Sequence, residues 1–299
     1  MSHSHDHAVS NHGKAFAIGI GLNVLYVGVE VFYGFSVDSS ALLADAGHNT
    51  SDVLSLILAW AATWAASKKP SGNYTYGLRK TTIMASLING ILIFGAAGII
   101  AYDAILKLKN PVEVPGNVIM IVAGIGIVIN TVTALLFMKG KKDDLNIKGA
   151  FLHMAADAGV SLGVVIGGLI IKLTGITWID PLLSLVIVAV ILYSGWGLLR
   201  DSVKLALDAV PEDIDIKEVN DFLHSVEGVE EVHDLHIWAM STTETALTAH
   251  LVIPEGLDDD FLMKIREELH DKFEINHTTL QVENTFGNNN GCAQNESCV

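Results

Sequence analysis

Two histidine–aspartate pairs stand out in a chain that is half hydrophobic: His48 with Asp52, and His153 with Asp157. On a helix, residues i and i+4 share a face, so each imidazole and its carboxylate aim at one point. Both pairs lie in mostly apolar runs, Ala44-Asp45-Ala46-Gly47-His48-Asn49-Thr50-Ser51-Asp52 and Ala150-Phe151-Leu152-His153-Met154-Ala155-Ala156-Asp157-Ala158. A charge at the bilayer centre costs roughly 2.5–3.5 kcal/mol on insertion scales and persists when it is paired, solvated or coordinating something. Two helices packed face to face would gather two imidazoles and two carboxylates, and one divalent cation would compensate both carboxylates. Two nitrogens and two oxygens, with no thiolate, suit a closed tetrahedral zinc site. The competing reading makes each histidine a buried hydrogen-bond donor to its own aspartate. Identical spacing in two separate spans weighs against it.

The elements that must position these pairs are long and apolar. Mean hydropathy is positive, high for a soluble protein, and the apolar residues concentrate before residue 208. Six spans are expected, at about residues 15–35, 41–66, 82–106, 118–138 and 147–173, with a sixth opened by Trp178-Ile179-Asp180-Pro181 and ending near Arg200. Asn23, Glu30 and Asn130 are polar residues that should face other helices. Gly124 with Ala134, and Gly163, Gly167 and Gly168, offer small-residue faces for close helix approach. The first run continues to spanning length without a basic region before it, so it reads as a retained helix rather than a cleaved leader. Lys68, Lys69, Arg79 and Lys80 in the second loop, with Lys139, Lys141, Lys142 and Lys148 in the fourth, outnumber Lys107, Lys109 and Lys172 elsewhere. By the positive-inside rule both termini are expected in the cytoplasm.

Four segments follow: a histidine-containing tail at 1–13 (His3, His5, His7, His12), a six-span domain at 14–207, a soluble domain at 208–286 and a tail at 287–299. From residue 208 onward, Asp and Glu number 21 against 4 Lys and Arg. Such an acidic domain argues against nucleic acid as a partner, because that affinity rests on neutralising phosphates with basic side chains. It would raise the local cation concentration, although an acidic face also simply keeps a domain soluble. Cys292 and Cys298 lie in the last tail, so no disulfide framework holds the fold. An amphipathic helix from Ile216, ended by Gly228, precedes strands at 232–240 and 246–253 joined by Ser241-Thr242-Thr243-Glu244. A second helix carries Phe261, Ile265, Leu269 and Phe273, and a third strand covers 278–282. This α-β-β-α-β order predicts helices over one face of a three-stranded sheet, and a second copy is the simplest partner for the other face.

With these stretches in view, the chain resembles the cation diffusion facilitator family over nearly its whole length. The resemblance is carried by 41–52, by Tyr76-Gly77 with Ala85-Ser86-Leu87-Ile88-Asn89-Gly90, by His153 to Asp157, by Trp178-Ile179-Asp180-Pro181, by His233-Asp234-Leu235-His236-Ile237-Trp238 and by His277-Thr278-Thr279-Leu280-Gln281-Val282-Glu283. It implies a membrane all-α six-helix transporter domain followed by a cytoplasmic α+β ferredoxin-like, metallochaperone-like domain. It implies a homodimer in the lipid bilayer that exports Zn²⁺ from the cytoplasm in exchange for protons. The transport-site positions fall on His48, Asp52, His153 and Asp157, and histidine at the first looks like the zinc-preferring branch, where aspartate resembles members that also accept Cd²⁺. The resemblance further implies a soluble domain whose interface binds regulatory metal, and the positions matching that role are His233, His250, His277 and Glu283, though histidines on strands of an acidic domain can also be merely solvated.

The chain departs from the family in places. Relatives commonly begin the third span with Arg-x-Glu, where this chain has Lys80-Thr81-Thr82, and Lys80 and Asp208 match a pair that bridges the two parts in some members. The loop at 68–76 has no histidine, which argues against an extra metal site there. No long His-rich insertion separates Met138 from Ile147, which points to a bacterial inner (plasma) membrane exporter rather than a vesicular one.

Coupling follows from ligand chemistry. Metal ligands must be deprotonated, so Zn²⁺ and protons compete for His48 and His153, and alternating exposure of one site then suffices for antiport. The donor set disfavours Cu(I), Ca²⁺ and Mg²⁺ and leaves Co²⁺ and Ni²⁺ open beside Zn²⁺. A rival reading is a membrane-bound zinc sensor without transport. An intramembrane hydrolase is a poor fit, since no His-Glu-x-x-His and no nucleophile pair of known spacing occurs.

Overall fold

The computed structural model describes residues 13–138, 145–254 and 259–284. His3, His5, His7 and His12 and both cysteines lie outside the described residues. Six long helices form: α1 (Gly13–Ser36), α2 (Ser40–Ala66), α3 (Thr81–Lys109), α4 (Gly116–Phe137), α5 (Leu145–Thr174) and α6 (Ile179–Ala206). Among the described residues five of them, all but α2, contain a stretch long and apolar enough to cross a membrane. The hydropathy of α2 is lowered by its polar run from His48 to Asp52, the run that carries one of the two pairs. Large apolar side chains point outward on these helices, among them Phe32, Phe35, Trp60, Ile99 and Tyr193. An apolar exterior of this extent suits lipid and not water. Helix α6 continues six residues beyond Arg200, where the apolar run ends. Leaving the apolar phase stops the hydropathy signal, but Arg, Lys, Leu and Ala remain good helix formers.

The described residues form two compact units, one from those up to Ile57 together with those between Asn89 and Trp196, the other from Leu58–Ile88 together with those from Gly197 onward. In the first, Leu42, Ile119, Val122, Val164, Ile187 and Ile191 belong to one buried core. Helices α4 and α5 touch backbone to backbone at one end: a Cβ on Gly168 would lie 2.9 Å from the carbonyl oxygen of Gly116, and one on Gly116 would collide with the carbonyl of Gly168. Gly167 sits just as tightly against Leu183. Gly124 and Gly163, expected in such seams, have nothing within 4 Å of a Cβ built on them. The start of α2 is capped from α6. Ser39 Oγ donates to Asp180 Oδ1 at 2.5 Å and the Ser40 amide donates to Oδ2 at 2.7 Å, placing a carboxylate at a helix N-terminus.

In the second unit, α7 (Ile216–His224), β1 (Glu231–Ala239), β2 (Thr245–Val252), α8 (Asp259–Phe273) and β3 (Ile275–Glu283) form the C-terminal α+β domain. Asp215 caps α7 by accepting from the Lys217 amide at 2.8 Å. The sheet order is β1-β2-β3, antiparallel between β1 and β2 and parallel between β2 and β3, with α8 as the crossover. Val219, Leu223, Leu247, Leu251, Ile265 and Leu269 share its core. Strand β3 starts three residues earlier than its alternation suggests, because Ile275 is buried while Asn276 and His277 are both exposed. Lys80 Nζ donates to Asp208 Oδ1 at 2.6 Å, Arg79 Nη1 lies 2.9 Å from Glu244 Oε2, and Thr82 Oγ1 accepts from the Thr242 amide at 3.0 Å. Thr82, which stands where relatives commonly have glutamate, thus takes a backbone donor of the β1–β2 turn.

Candidate metal centres

Helices α2 and α5 face one another with both pairs on the facing sides. His48 Nε2 lies 3.3 Å from Asp157 Oδ1, and His153 Nε2 lies 3.3 Å from Asp52 Oδ2 and 3.6 Å from Asp157 Oδ2. His48 Nδ1 is 4.0 Å from Asp52 Oδ2, within its own helix. The edge of a tetrahedron with bonds of ~2.0–2.1 Å is ~3.3–3.4 Å, so the contacts across the two helices have the spacing of ligands around one zinc-sized ion. Burial is graded: Asp157 is buried, His48 and Asp52 are half-buried, and the His153 side chain is 43% exposed, so the group opens on the His153 side. Asp52 Oδ2 and Asp157 Oδ2 are buried and receive no hydrogen bond of good geometry. Such acceptors are satisfied by a cation or a proton.

A second group sits on the sheet face away from the helices of the C-terminal domain. His233 of β1 pairs in register with His250 of β2, and their rings meet edge to face at 5.0 Å. Glu283, at the end of β3, joins both: Oε2 lies 3.3 Å from His233 Nε2 and Oε1 lies 3.1 Å from His250 Nδ1. Each strand supplies one ligand atom, and two imidazoles with one carboxylate fit a borderline cation such as Zn²⁺. His277 is not brought to this group. It stands six residues before Glu283 on the same strand, about 20 Å away at the rise of a β-strand, and its ring packs edge-on against Tyr76 at 5.4 Å. Within one chain His277 therefore stands apart from the other three positions that the resemblance marks.

Sequence reasoning did not single out Asp234 or His236. The register shifts between His233 and His236, and Asp234 has φ +53°. This irregularity places Asp234 Oδ2 3.6 Å from His250 Nε2 and Oδ1 3.0 Å from His236 Nε2. The His-Asp-Leu-His run was the available signal, but period-two alternation puts His233 and His236 on opposite faces unless a bulge intervenes.

With both groups defined, comparison with known proteins supplies the family. A profile described as the cation efflux transmembrane domain matches residues 16–205, and one described as the cation efflux protein cytoplasmic domain matches residues 211–285. The chain belongs to the cation efflux, or cation diffusion facilitator, family. Members similar to it include the cation efflux system protein CzcD of Alcaligenes sp., 35% identical over 94% of this chain and 89% of that one. The zinc transporter ZitB of Escherichia coli is 34% identical over 95% of this chain and 93% of its own length. A cadmium, cobalt and zinc/H(+)-K(+) antiporter of Bacillus velezensis is 34% identical, covering 96% and 94%. Among solved structures, a metal-bound C-terminal domain of a CzcD transporter is 36% identical, covering 23% of this chain and 99% of that one, with a TM-score of 0.22. As a member of this family the chain is a multi-pass integral membrane protein of divalent-cation efflux, built from a helical membrane domain and a small α+β domain.

Proposed function

We propose that this protein is a secondary active transporter that exports Zn²⁺ from the cytoplasm across a bacterial inner membrane in exchange for protons. It acts as a homodimer with both termini in the cytoplasm, and each protomer carries the metal on His48, Asp52, His153 and Asp157. The observation that carries this reading is the meeting of two imidazoles and two carboxylates from α2 and α5, with His48 on Asp157 and His153 on Asp52 each at 3.3 Å, in a domain five of whose helices are long and apolar enough to cross a membrane. The names of ZitB and of the Bacillus antiporter support zinc as cargo and protons as counter-ion.

Efflux needs a site that binds tightly on one side and releases on the other. Two imidazoles deliver this because each must lose its proton to bind the metal and regains it in an acidic exterior. The two ligand pairs ride on different helices, so a relative movement of α2 and α5 would open the site without unfolding either pair. Co²⁺, Ni²⁺ and Cd²⁺ are the cations whose ligand preferences overlap this set. The three-strand group of His233, His250 and Glu283 is assigned as a regulatory Zn²⁺ site of the cytoplasmic domain.

The test is Zn²⁺ flux in proteoliposomes under an imposed pH gradient, native chain against Asp157→Ala. Gradient-driven flux that disappears in the variant is the expected result. A native chain with no flux that still binds Zn²⁺ through His233, His250 and Glu283 would support the second reading, a membrane-bound zinc sensor, which that cytoplasmic group favours.

A further inference from the structure

Beside the metal quartet lies a pair of carboxyl groups that the transport reading does not use. Glu30 of α1 and Asp45 of α2 are both fully buried. One oxygen of each is held: Glu30 Oε2 accepts from Asn49 Nδ2 at 2.9 Å, and Asp45 Oδ2 accepts from Ser161 Oγ at 3.3 Å. The other two oxygens, Glu30 Oε1 and Asp45 Oδ1, are buried and receive no hydrogen bond, although the two carboxyl groups lie within hydrogen-bonding reach of each other. The Tyr26 hydroxyl, one turn before Glu30, is equally buried beside them, within reach of Glu30 and Ser161, and its single proton can serve only one acceptor. It occupies the space left by Gly126 of α4, where any Cβ would overlap it.

Ionised carboxylates only accept, so two facing carboxylate oxygens cannot satisfy each other. One proton turns one of them into a donor and removes one buried charge, as in any close carboxyl pair. No Lys or Arg of α1 beyond Lys14, of α2 or of α4 can do this instead, since the chain has none between Lys14 and Lys68 and α4 has none. The titratable groups facing the pair are Tyr26 from α1, His48 from α2 and Asp157 from α5, while α4 contributes none. The groups that hold the pair stand next to metal ligands: Asn49 follows His48 on α2, and Ser161 is one turn past Asp157 on α5.

We propose that Glu30 and Asp45 share one proton and form a proton site of the transporter, separate from the metal ligands. It is loaded from external water and discharged to cytoplasmic water in each cycle. This deepens the proton-driven reading above and rests on it. The pair alternates between one proton with a single negative charge and no proton with two, and no covalent bond other than O–H changes.

The test uses the full chain in proteoliposomes with Glu30→Gln and Asp45→Asn, both nearly isosteric. Infrared spectra should show a protonated-carboxyl C=O stretch that moves in D2O and is lost in each variant. Glu30→Gln should still bind Zn²⁺, which also reports that it folds, yet lose the acceleration of Zn²⁺ flux by a pH gradient. Asp45→Asn provides the same readouts if Glu30→Gln fails to bind. A band absent from the native chain, a band that survives in both variants, or gradient dependence retained by both would overturn the proposal. So would a native-to-variant difference that follows K⁺ replacement by choline instead of pH, which would make K⁺ the occupant. A native chain that transports Zn²⁺ with no gradient dependence defeats the antiport reading itself, and a band seen in that case marks a structural proton only.

Discussion

The proposed metal quartet of the helical domain and the proposed metal triad of the C-terminal sheet use the same kinds of donor atom on opposite kinds of backbone. In the quartet each helix brings a complete i, i+4 pair, and the two pairs meet only through side chains, His48 on Asp157 and His153 on Asp52. Side-chain contacts, among them the hydrogen bond from Ser161 to Asp45, hold α2 against α5 there, with no backbone ladder between them. In the triad, His233, His250 and Glu283 come from three neighbouring strands, whose backbones are joined by ladder hydrogen bonds. Separating those ligands would break the sheet. A site that can be divided without loss of backbone hydrogen bonds suits a travelling ion, and one that cannot suits a resident ion.

This contrast is most exposed to Asp157→Ala, which removes the most buried ligand of the quartet. Zn²⁺ flux should fall by on the order of 100-fold or more, since even outer-shell partners of a metal site cost about 10–100-fold. Flux that survived would remove the quartet from transport. Glu283→Gln should act on the other side of the comparison. It takes the carboxylate from the triad, so titration of the full chain should lose one tight Zn²⁺ equivalent, roughly a 10–100-fold loss of affinity there. Flux at saturating Zn²⁺ should persist, and a collapse as deep as that of Asp157→Ala would show that the two sites are not separable in role. His48→Asp exchanges a nitrogen for an oxygen while keeping four ligands. Competition assays should show relative Cd²⁺ transport rising by roughly tenfold, a shift of about 1.4 kcal/mol, and unchanged selectivity would mean that ligand type does not set the cargo. The smallest effect is expected at Lys80 and Asp208, both about half exposed. Lys80→Asp should cost less than about 1 kcal/mol by denaturant unfolding, and the exchange Lys80→Asp with Asp208→Lys should restore it.

Helical features were the more legible part of the molecule. Six helices, the α-β-β-α-β order and the meeting of His48, Asp52, His153 and Asp157 all follow from apolar runs and from a period that puts i and i+4 together. The sheet was less legible because one irregular residue resets which side chains share a face. Asp234 in its left-handed conformation brings its carboxylate to both His250 and His236, and no alternation pattern announces that. His277 shows a simpler limit: a family motif marks a strand, whereas distance along that strand decides which of its residues can meet within one chain. Gly163 and Gly124 show the same limit, since small residues permit close approach without specifying it. Glu30 and Asp45 were visible as polar residues in apolar runs, but their pairing depends on how α1 meets α2.

The contact of Gly116 with Gly168 has a consequence for mutational tolerance. Neither residue carries a functional group, yet one added methyl at either would push the backbones of α4 and α5 apart. Gly168 is eleven residues beyond Asp157, about 16 Å along the helix axis. A wedge at that end tilts α5 as a rod and carries its ligands out of register with those of α2. In a saturation screen for zinc resistance, both glycines should therefore score as harshly as ligand positions while having no chemistry of their own, a fulcrum that looks like an active-site residue only to genetics.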